Sequence, residues 1–264
     1  MIIKKEWRIL TVGDGDLSFS SALLKHHHPA YLTATVYDSL ETMKDKYGDQ
    51  FYQELKSRNN PVLFGFDVTN PRSWGALKKN SFDLIIFQFP LLPAFRSFDE
   101  YKSRGKDVNI NTLNRRLLRS FLINSFSHFL DPKGQQLCFI TSKDVKPYRE
   151  WNIENDLHLH TDIHYLGSTA FDINMFPGYR IRNVDRDKHV KDTKGITYVW
   201  SQNVNNDLVE ELQEALYQWD NCCTACRAGP FSTHSDRLEH NQSKKHLNMM
   251  EFKRLWLADL KNER

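Results

Sequence analysis

Four apolar runs in the first ninety residues each stop at a polar or glycine-rich turn, and this repetition constrains the fold more than any other feature of the chain. Arg8-Ile9-Leu10-Thr11-Val12-Gly13 runs into Asp14-Gly15-Asp16. Leu32-Thr33-Ala34-Thr35-Val36-Tyr37 is β-branched and aromatic and ends at Asp38. Pro61 to Phe66 ends at Asp67, and Phe82-Asp83-Leu84-Ile85-Ile86-Phe87 runs into Gln88-Phe89-Pro90. Short apolar runs of this kind read as strands covered on both faces. Ser18 to Lys25, with a serine near its start, and Glu41 to Arg58 read as helices between them. Strands alternating with helices predict a parallel α/β sheet.

The pattern continues downstream. Thr112 to Phe129 reads as an amphipathic helix whose Arg115, Arg116 and Arg119 form a solvated face, with an RNA groove as the other reading. Gln136 to Thr141 and Gly195 to Trp200 read as further strands, the second of them the last. Leu91 to Asp107 has no clear period and several charges, and reads as an irregular, mobile loop. The His26-His27-His28 run lies inside the chain and reads as an exposed helix end. Asn203 to Asn206 is polar and turn-like, so a boundary is placed there, with Asp207 to Trp219 as a connecting helix. The expected division is a large domain at 1–202, a connector at 203–219 and a small module at 220–264.

Composition agrees with that division. Of 264 residues, 40% are hydrophobic and 26% charged, enough to bury a core. No apolar stretch nears the roughly 20 residues that span a bilayer, so no membrane partner is expected. Met1 to Glu6 does not read as a signal peptide. From Asn221 onward there are eight Lys/Arg against five Asp/Glu, whereas the rest of the chain balances at 28 of each. The basic excess therefore sits in the small module, where a nucleic-acid contact is expected.

Of the four cysteines, Cys222, Cys223 and Cys226 crowd into five positions, poor geometry for a disulfide framework and good geometry for a metal. The chain reads as intracellular. Cys223-x2-Cys226 is followed by His240-x5-His246; two thiolates on a knuckle and two imidazoles on helical turns make a tetrahedral zinc set. Cys222 and His234 are competing ligands with less usual spacing. Phe231 and Leu238 fall where a finger needs a miniature core. Together with Ser243-Lys244-Lys245-His246, this segment resembles the U1-type (matrin-type) C2H2 finger. That resemblance implies structured RNA, and in some members protein, as partner, through the finger or the C-terminal helix. It makes Lys244 and Lys245 candidate RNA contacts.

In the large domain, Val12-Gly13-Asp14-Gly15-Asp16 is a strand-to-glycine turn that lets the backbone approach a ligand. Asp38 follows at the end of the second strand, where an acid accepts bonds from ribose hydroxyls, and Asp67 ends the third. Together they point to an adenosine-containing cofactor. The turn does not complete a full G-x-G-x-x-G, which argues against a dinucleotide and for S-adenosylmethionine.

Val12 to Ser20, Tyr37-Asp38-Ser39, Gly65 to Thr69, Phe82 to Pro90, Pro147 to Ile153 and Phe176 to Tyr179 together resemble the 25S ribosomal RNA (uridine-N3)-methyltransferase-like family over roughly residues 7 to 200. The resemblance implies a Rossmann-like seven-stranded α/β methyltransferase fold followed by the small finger. It implies S-adenosylmethionine and Zn2+ as cofactors, structured ribosomal RNA as partner, and a nuclear or nucleolar location. Carried over by position, Gly13, Asp14, Gly15 and Asp16 line the methionine end, Asp38 takes the ribose, and Asp67 with Val68 flanks the adenine. Gln88, Phe89 and Pro90 close the fourth strand beside the methyl group. Lys143, Arg149 and Tyr179 are candidate RNA contacts.

Several positions keep two readings. Phe89 and Tyr179 stack on the target base or pack in the core; Asp83 is a general base or structural; Lys143 and Arg149 hold phosphates or lie on a solvated face. Two departures from the family pattern also stand: Gln88 replaces asparagine, and Leu91-Leu92-Pro93 replaces His-Val-Gly. After Phe176-Pro177-Gly178-Tyr179 comes Arg180-Ile181-Arg182, where the family continues with basic residues around a histidine. The changes at Gln88 to Pro93 motivate one alternative, a non-catalytic RNA-binding or assembly protein that keeps the fold; the other is a methyltransferase acting on a protein, with the finger as a protein contact.

Overall fold

In the computed structural model, residues 1–92, 108–182 and 194–262 are described. Seven strands form one sheet: β1 (Arg8–Val12), β2 (Tyr31–Thr35), β3 (Val62–Leu63), β4 (Leu84–Gln88), β5 (Leu137–Lys143), β6 (His164–Phe171) and β7 (Gly195–Ser201), in the order β3-β2-β1-β4-β5-β7-β6. The first five run parallel. β7 is antiparallel to both β5 and β6, so the sheet is mixed rather than wholly parallel.

Side chains alternate across the pleat, which splits the apolar strands between two cores. Leu10, Val12, Ile85, Phe87, Cys138 and Ile140 face α4 (Ile110–Asn124), whose Leu118, Phe121 and Leu122 cover them. Ile9, Leu84, Ile86, Leu137 and Phe139 face the opposite way, onto α1 (Ser18–His26) through Phe19, Ala22 and Leu23. Each fully buried Leu, Ile or Phe contributes roughly 1.5–3 kcal/mol. The strand order reverses between β1 and β4, and in such sheets the crevice outside the carboxyl ends at that reversal is where ligands bind.

Four expectations are corrected. Glu41 to Arg58 is not one helix: α2 (Leu40–Tyr47) and α3 (Gln50–Ser57) are separated at Gly48, whose φ of 78° ends the first. The third strand shrinks to two residues. Asp207 to Trp219 is no helix but two 3-10 turns, Asp207–Glu211 and Leu216–Gln218. Between them Gln213 exchanges backbone bonds with Ser168, covering the open edge of β6. The arginines of α4 do not form a solvated face. Arg115 is 1% exposed, bonds the carbonyls of Glu150, Trp151 and Phe252, and pairs with Asp156. Arg119 bonds the carbonyls of Leu157 and Leu159, and Arg116 pairs with Asp259. These cations satisfy loose carbonyl ends at the short α5 (Ile153–Asp156) and hold the last helix.

The C-terminal segment forms α6 (His234–Gln242) and α7 (Lys244–Asn262). Trp256 of α7 is fully buried and donates to the Asp156 carbonyl. The segment is therefore docked on the large domain. The Leu91–Asp107 loop falls, from residue 93 on, outside the described residues. Among those described, no helix is long and apolar enough to cross a membrane.

Candidate active site and metal cluster

A cavity of about 290 Å³ opens at the carboxyl ends of β1 and β4, near the lower end of the range for small-molecule clefts. Four strand ends line it: Val12 to Asp16, Val36 to Asp38, Phe66 to Thr69, and Phe87 to Leu92. Tyr47, Leu117, Tyr179, Arg180 and Arg182 complete the wall. Every residue expected to bind cofactor or to act in catalysis lies on this lining, and so does Tyr179.

The turn after β1 explains its own composition. Gly13 has φ 64°, and a Cβ there would lie 2.9 Å from Phe87 Cε2. A Cβ on Gly15 would meet nothing within 4 Å, so its open side is free for a ligand. Asp14 and Asp16 cap the following helix: Asp14 Oδ2 accepts from Ser20 N at 2.7 Å and Ser20 Oγ at 2.6 Å, and Asp16 Oδ1 accepts from Ser18 N at 3.0 Å. Burial, and then the Asp16 charge, push the Asp14 carboxyl up to about 7 against the pull of the Ser20 bonds. Asp16 is also paired with Arg182 at 2.7 Å, and that guanidinium lies 5.1 Å over the Tyr47 ring. Asp38 bonds Lys46 at 2.9 Å. Asp67 turns its carboxylate onto the amide and hydroxyl of Thr69, shaping its own turn.

At the end of β4, Gln88 lines the cavity; its Oε1 is buried without a partner among the described residues, and its Nε2 donates to Met1 Sδ at 3.8 Å. Phe89 has φ 46°, a left-handed conformation uncommon outside glycine. Its ring packs edge-on to Phe171 at 5.5 Å, and the residue also lines the cavity. Tyr179 packs against Phe19 at 5.1 Å in the cavity wall, and burial, then Asp14 and Asp16, hold its hydroxyl well above its usual range.

Asp83 is structural. It sits at the amino end of β4, about 16 Å of strand from Gln88, and is held by Arg8 through two side-chain bonds of 2.8 and 2.9 Å and a backbone bond. Burial works to raise its carboxyl, but the Arg8 bonds outweigh it and hold it below the usual range. Arg149 is bidentate to Asp144 at 2.7 and 2.9 Å. Lys143 lies 5.7 Å over the Tyr148 ring, and partial burial lowers its ammonium. Lys244 is exposed, while Lys245 donates to the Cys226 carbonyl at 2.9 Å.

Cys223, Cys226, His240 and His246 bring one ligand atom each to within 4.8 Å of the others. The spacing tests the metal directly. Zinc bonds of about 2.3 Å to sulfur and about 2.0–2.1 Å to nitrogen give tetrahedral edges of roughly 3.5 Å between S and N and roughly 3.3 Å between N and N. His246 Nδ1 lies 3.5 Å from Cys223 Sγ, 3.6 Å from Cys226 Sγ and 3.3 Å from His240 Nε2. The set fits zinc. Cys222 points away, its Sγ on the Leu216 carbonyl at 3.3 Å, and His234 merely opens α6. The expected miniature core is half right: Phe231 packs on the His240 ring at 5.0 Å, but Leu238 is 48% exposed.

The sequence model of the family described as BMT5-like, rRNA (uridine-N3-)-methyltransferase BTM5-like, matches residues 10–183. The chain belongs to this family. Every residue lining the cavity falls inside the BMT5-like span, and the metal cluster falls outside it. Among curated relatives, the chain is 29% identical to the Heavy metal-associated isoprenylated plant protein 41 of Arabidopsis thaliana, over 67% of the chain and 33% of that protein. It is 24% identical to the 25S rRNA (uridine(2634)-N(3))-methyltransferase of Saccharomyces cerevisiae, over 78% of the chain and 76% of that protein. The chain thus spans about a third of the first relative's length and about three quarters of the second's. Among solved structures, a methyltransferase from Pyrococcus furiosus overlays with a TM-score of 0.46 and 12% identity, covering 76% of this chain and 78% of that one.

Arg182, Tyr47 and Leu117 are cavity residues that sequence reasoning did not name as site residues. Arg182 had a signal, since Arg180-Ile181-Arg182 stood out as a departure from the family pattern. Tyr47 and Leu117 had none, being helix residues brought in by packing.

Proposed function

We propose that this chain transfers the methyl group of S-adenosylmethionine to N3 of an unpaired uridine in structured ribosomal RNA. The observation that carries the reading is the acid-rimmed glycine turn at the sheet's reversal point, lying wholly within the BMT5-like span. When bound, S-adenosylmethionine supplies an electrophilic methyl group on a sulfonium centre.

The chain's own residues divide the work. Gly13 and Gly15 let the backbone close on the methionine end, and Asp14 and Asp16 set negative charge against a cationic ligand. Asp38 takes the ribose hydroxyls; Asp67 and Val68 shape the adenine end. Gln88, Phe89 and Pro90 form the rim where the base arrives. As N3 gives its proton to solvent water, charge spreads onto the neighbouring uracil carbonyls, and an amide hydrogen from Gln88 stabilises it there. The unpaired base must leave its stack to reach this depth. Lys143, Lys244 and Lys245 supply positive charge for the backbone, while Arg149 acts through Asp144.

Residues 1–202 form the catalytic domain, 203–219 the connector and 220–264 the finger. Cys223, Cys226, His240 and His246 would hold a zinc ion that stabilises the finger. A ribosomal RNA substrate, with the yeast relative's name, supports a nuclear or nucleolar location. Isothermal titration tests the first step: S-adenosylmethionine binds the wild type, and Gly15→Ala weakens it. No binding at millimolar cofactor overturns the enzyme reading.

A further inference from the structure

Arg227 sits between the metal ligand Cys226 and Ala228, whose amide and carbonyl pair with Cys223 to close the knuckle. A tip residue of an independent finger would point to solvent. Arg227 instead has a side chain 6% exposed and is driven into the large domain. Its Nη1 donates to Asp144 Oδ1 at 2.8 Å, and its Nη2 donates to Glu154 Oε2 at 3.0 Å and Tyr198 Oη at 2.6 Å. The guanidinium lies 4.9 Å over the Tyr217 ring. These partners come from the end of β5, from α5, from β7 and from the connector. A planar fork with several donors is the cation suited to bridging so many acceptors.

The latch lies on the catalytic edge of the sheet. Asp144 directly follows β5, whose last residue, Lys143, is in register with Gly195 of β7. A Cβ on Gly195 would lie 3.2 Å from Phe89 Cζ, and Phe89 lines the cavity. The histidine side of the cluster is anchored separately: α7 is held on α4 by Arg115 to the Phe252 carbonyl and Arg116 to Asp259, and on α5 by Trp256 to the Asp156 carbonyl. The cysteine knuckle has Arg227.

We propose that Arg227 is a positioning residue that locks the cysteine knuckle against the carboxyl edge of the sheet, making the finger a fixed wall of the RNA-entry cleft instead of a tethered handle. This rests on the RNA methyltransferase reading above. RNA held by the finger then reaches the cavity in one register, and loss of the lock costs alignment more than affinity.

The test compares wild type with Arg227→Met/Glu154→Gln, a pair chosen because Arg227→Met alone would leave Glu154 buried and uncompensated. Zinc content, cofactor affinity, methyl transfer to a large-subunit ribosomal RNA transcript, and hydrogen exchange across residues 221–231 are measured on the full chain. The variant keeps its zinc and its cofactor affinity, exchanges faster at the knuckle, and loses on the order of tenfold to a hundredfold in kcat at saturating RNA. A merely structural role lowers the unfolding temperature and leaves kcat unchanged below it; that result, or unchanged exchange at the knuckle, overturns the proposal. A variant that fails to fold is replaced by Asp144→Asn, which removes one anchor from the exposed side and is judged by the same exchange and kcat criteria. Wild-type protein that methylates no RNA overturns the functional reading, and knuckle exchange alone then judges the latch.

Discussion

The cavity and the metal cluster are both built at turns, but they are held together by different forces. The cavity takes its walls from residues 12 to 182, gathered by a sheet whose strands are buried on both faces. Its shape is set by backbone, as at Gly13, and survives without a ligand. The cluster takes its four groups from residues 223 to 246 and has two thiols and two imidazoles at its centre. Under the zinc reading proposed above, an ion is what brings those groups together. A site made by the fold tolerates an absent ligand; a site made by its ligand does not.

The largest expected effect follows from that difference. Structural zinc in isolated fingers contributes about 10–16 kcal/mol. Cys226→Ser, or chelation, should therefore unfold the segment around α6, seen as rapid hydrogen exchange across His234–Gln242, while cofactor affinity is retained. Persistent protection of α6 without metal would break the comparison. Next comes the glycine pair. Gly13→Ala forces an L side chain to φ 64° with its Cβ 2.9 Å from Phe87 and should cost about 1–3 kcal/mol of stability in a denaturant titration. Gly15→Ala should leave the midpoint unchanged and weaken cofactor binding in calorimetry. Equal midpoints for the two variants would refute the backbone argument.

Asp38→Ala should lose a charge-assisted bond to the ribose, about 1.5–3 kcal/mol of binding, or roughly ten- to a hundredfold in Kd, with little change in Tm. The smallest effect is a pH dependence. Asp14 titrates at about 7 in the free protein, and a cationic ligand favours its ionised form. Cofactor affinity should rise with pH up to about 7 and level off above, changing by at most about tenfold per unit below it. The stability of the free protein runs the other way: a carboxyl whose value is raised by folding holds its proton longer than in the unfolded chain. Its contribution therefore falls as pH climbs from the ordinary carboxylate range through about 7. Parallel slopes would remove Asp14 from the account.

Strand ends were legible because apolar runs stop where the sheet stops, which is why Asp14, Asp38, Asp67 and Gln88 were all found on one cavity. The grouping of Cys223, Cys226, His240 and His246 was legible because their spacing is local. What could not be read was long-range. Arg115 and Arg119 look like a charged helix face until the loose carbonyls of Trp151 and Leu157 are brought to them. The connector looks helical, yet the unpaired edge of β6 takes the Gln213 backbone. Arg227 carries no sign of its burial, since its partners lie at residues 144, 154 and 198.

The central claim is tested most directly by incubating the zinc-loaded full chain with isotopically methyl-labelled S-adenosylmethionine and an unmodified large-subunit ribosomal RNA transcript, then digesting the RNA to nucleosides for mass spectrometry. Labelled 3-methyluridine is expected in the RNA, reduced roughly ten- to a hundredfold by Asp38→Ala at limiting cofactor. Cofactor binding without any labelled nucleoside, or label found on protein instead, would contradict it.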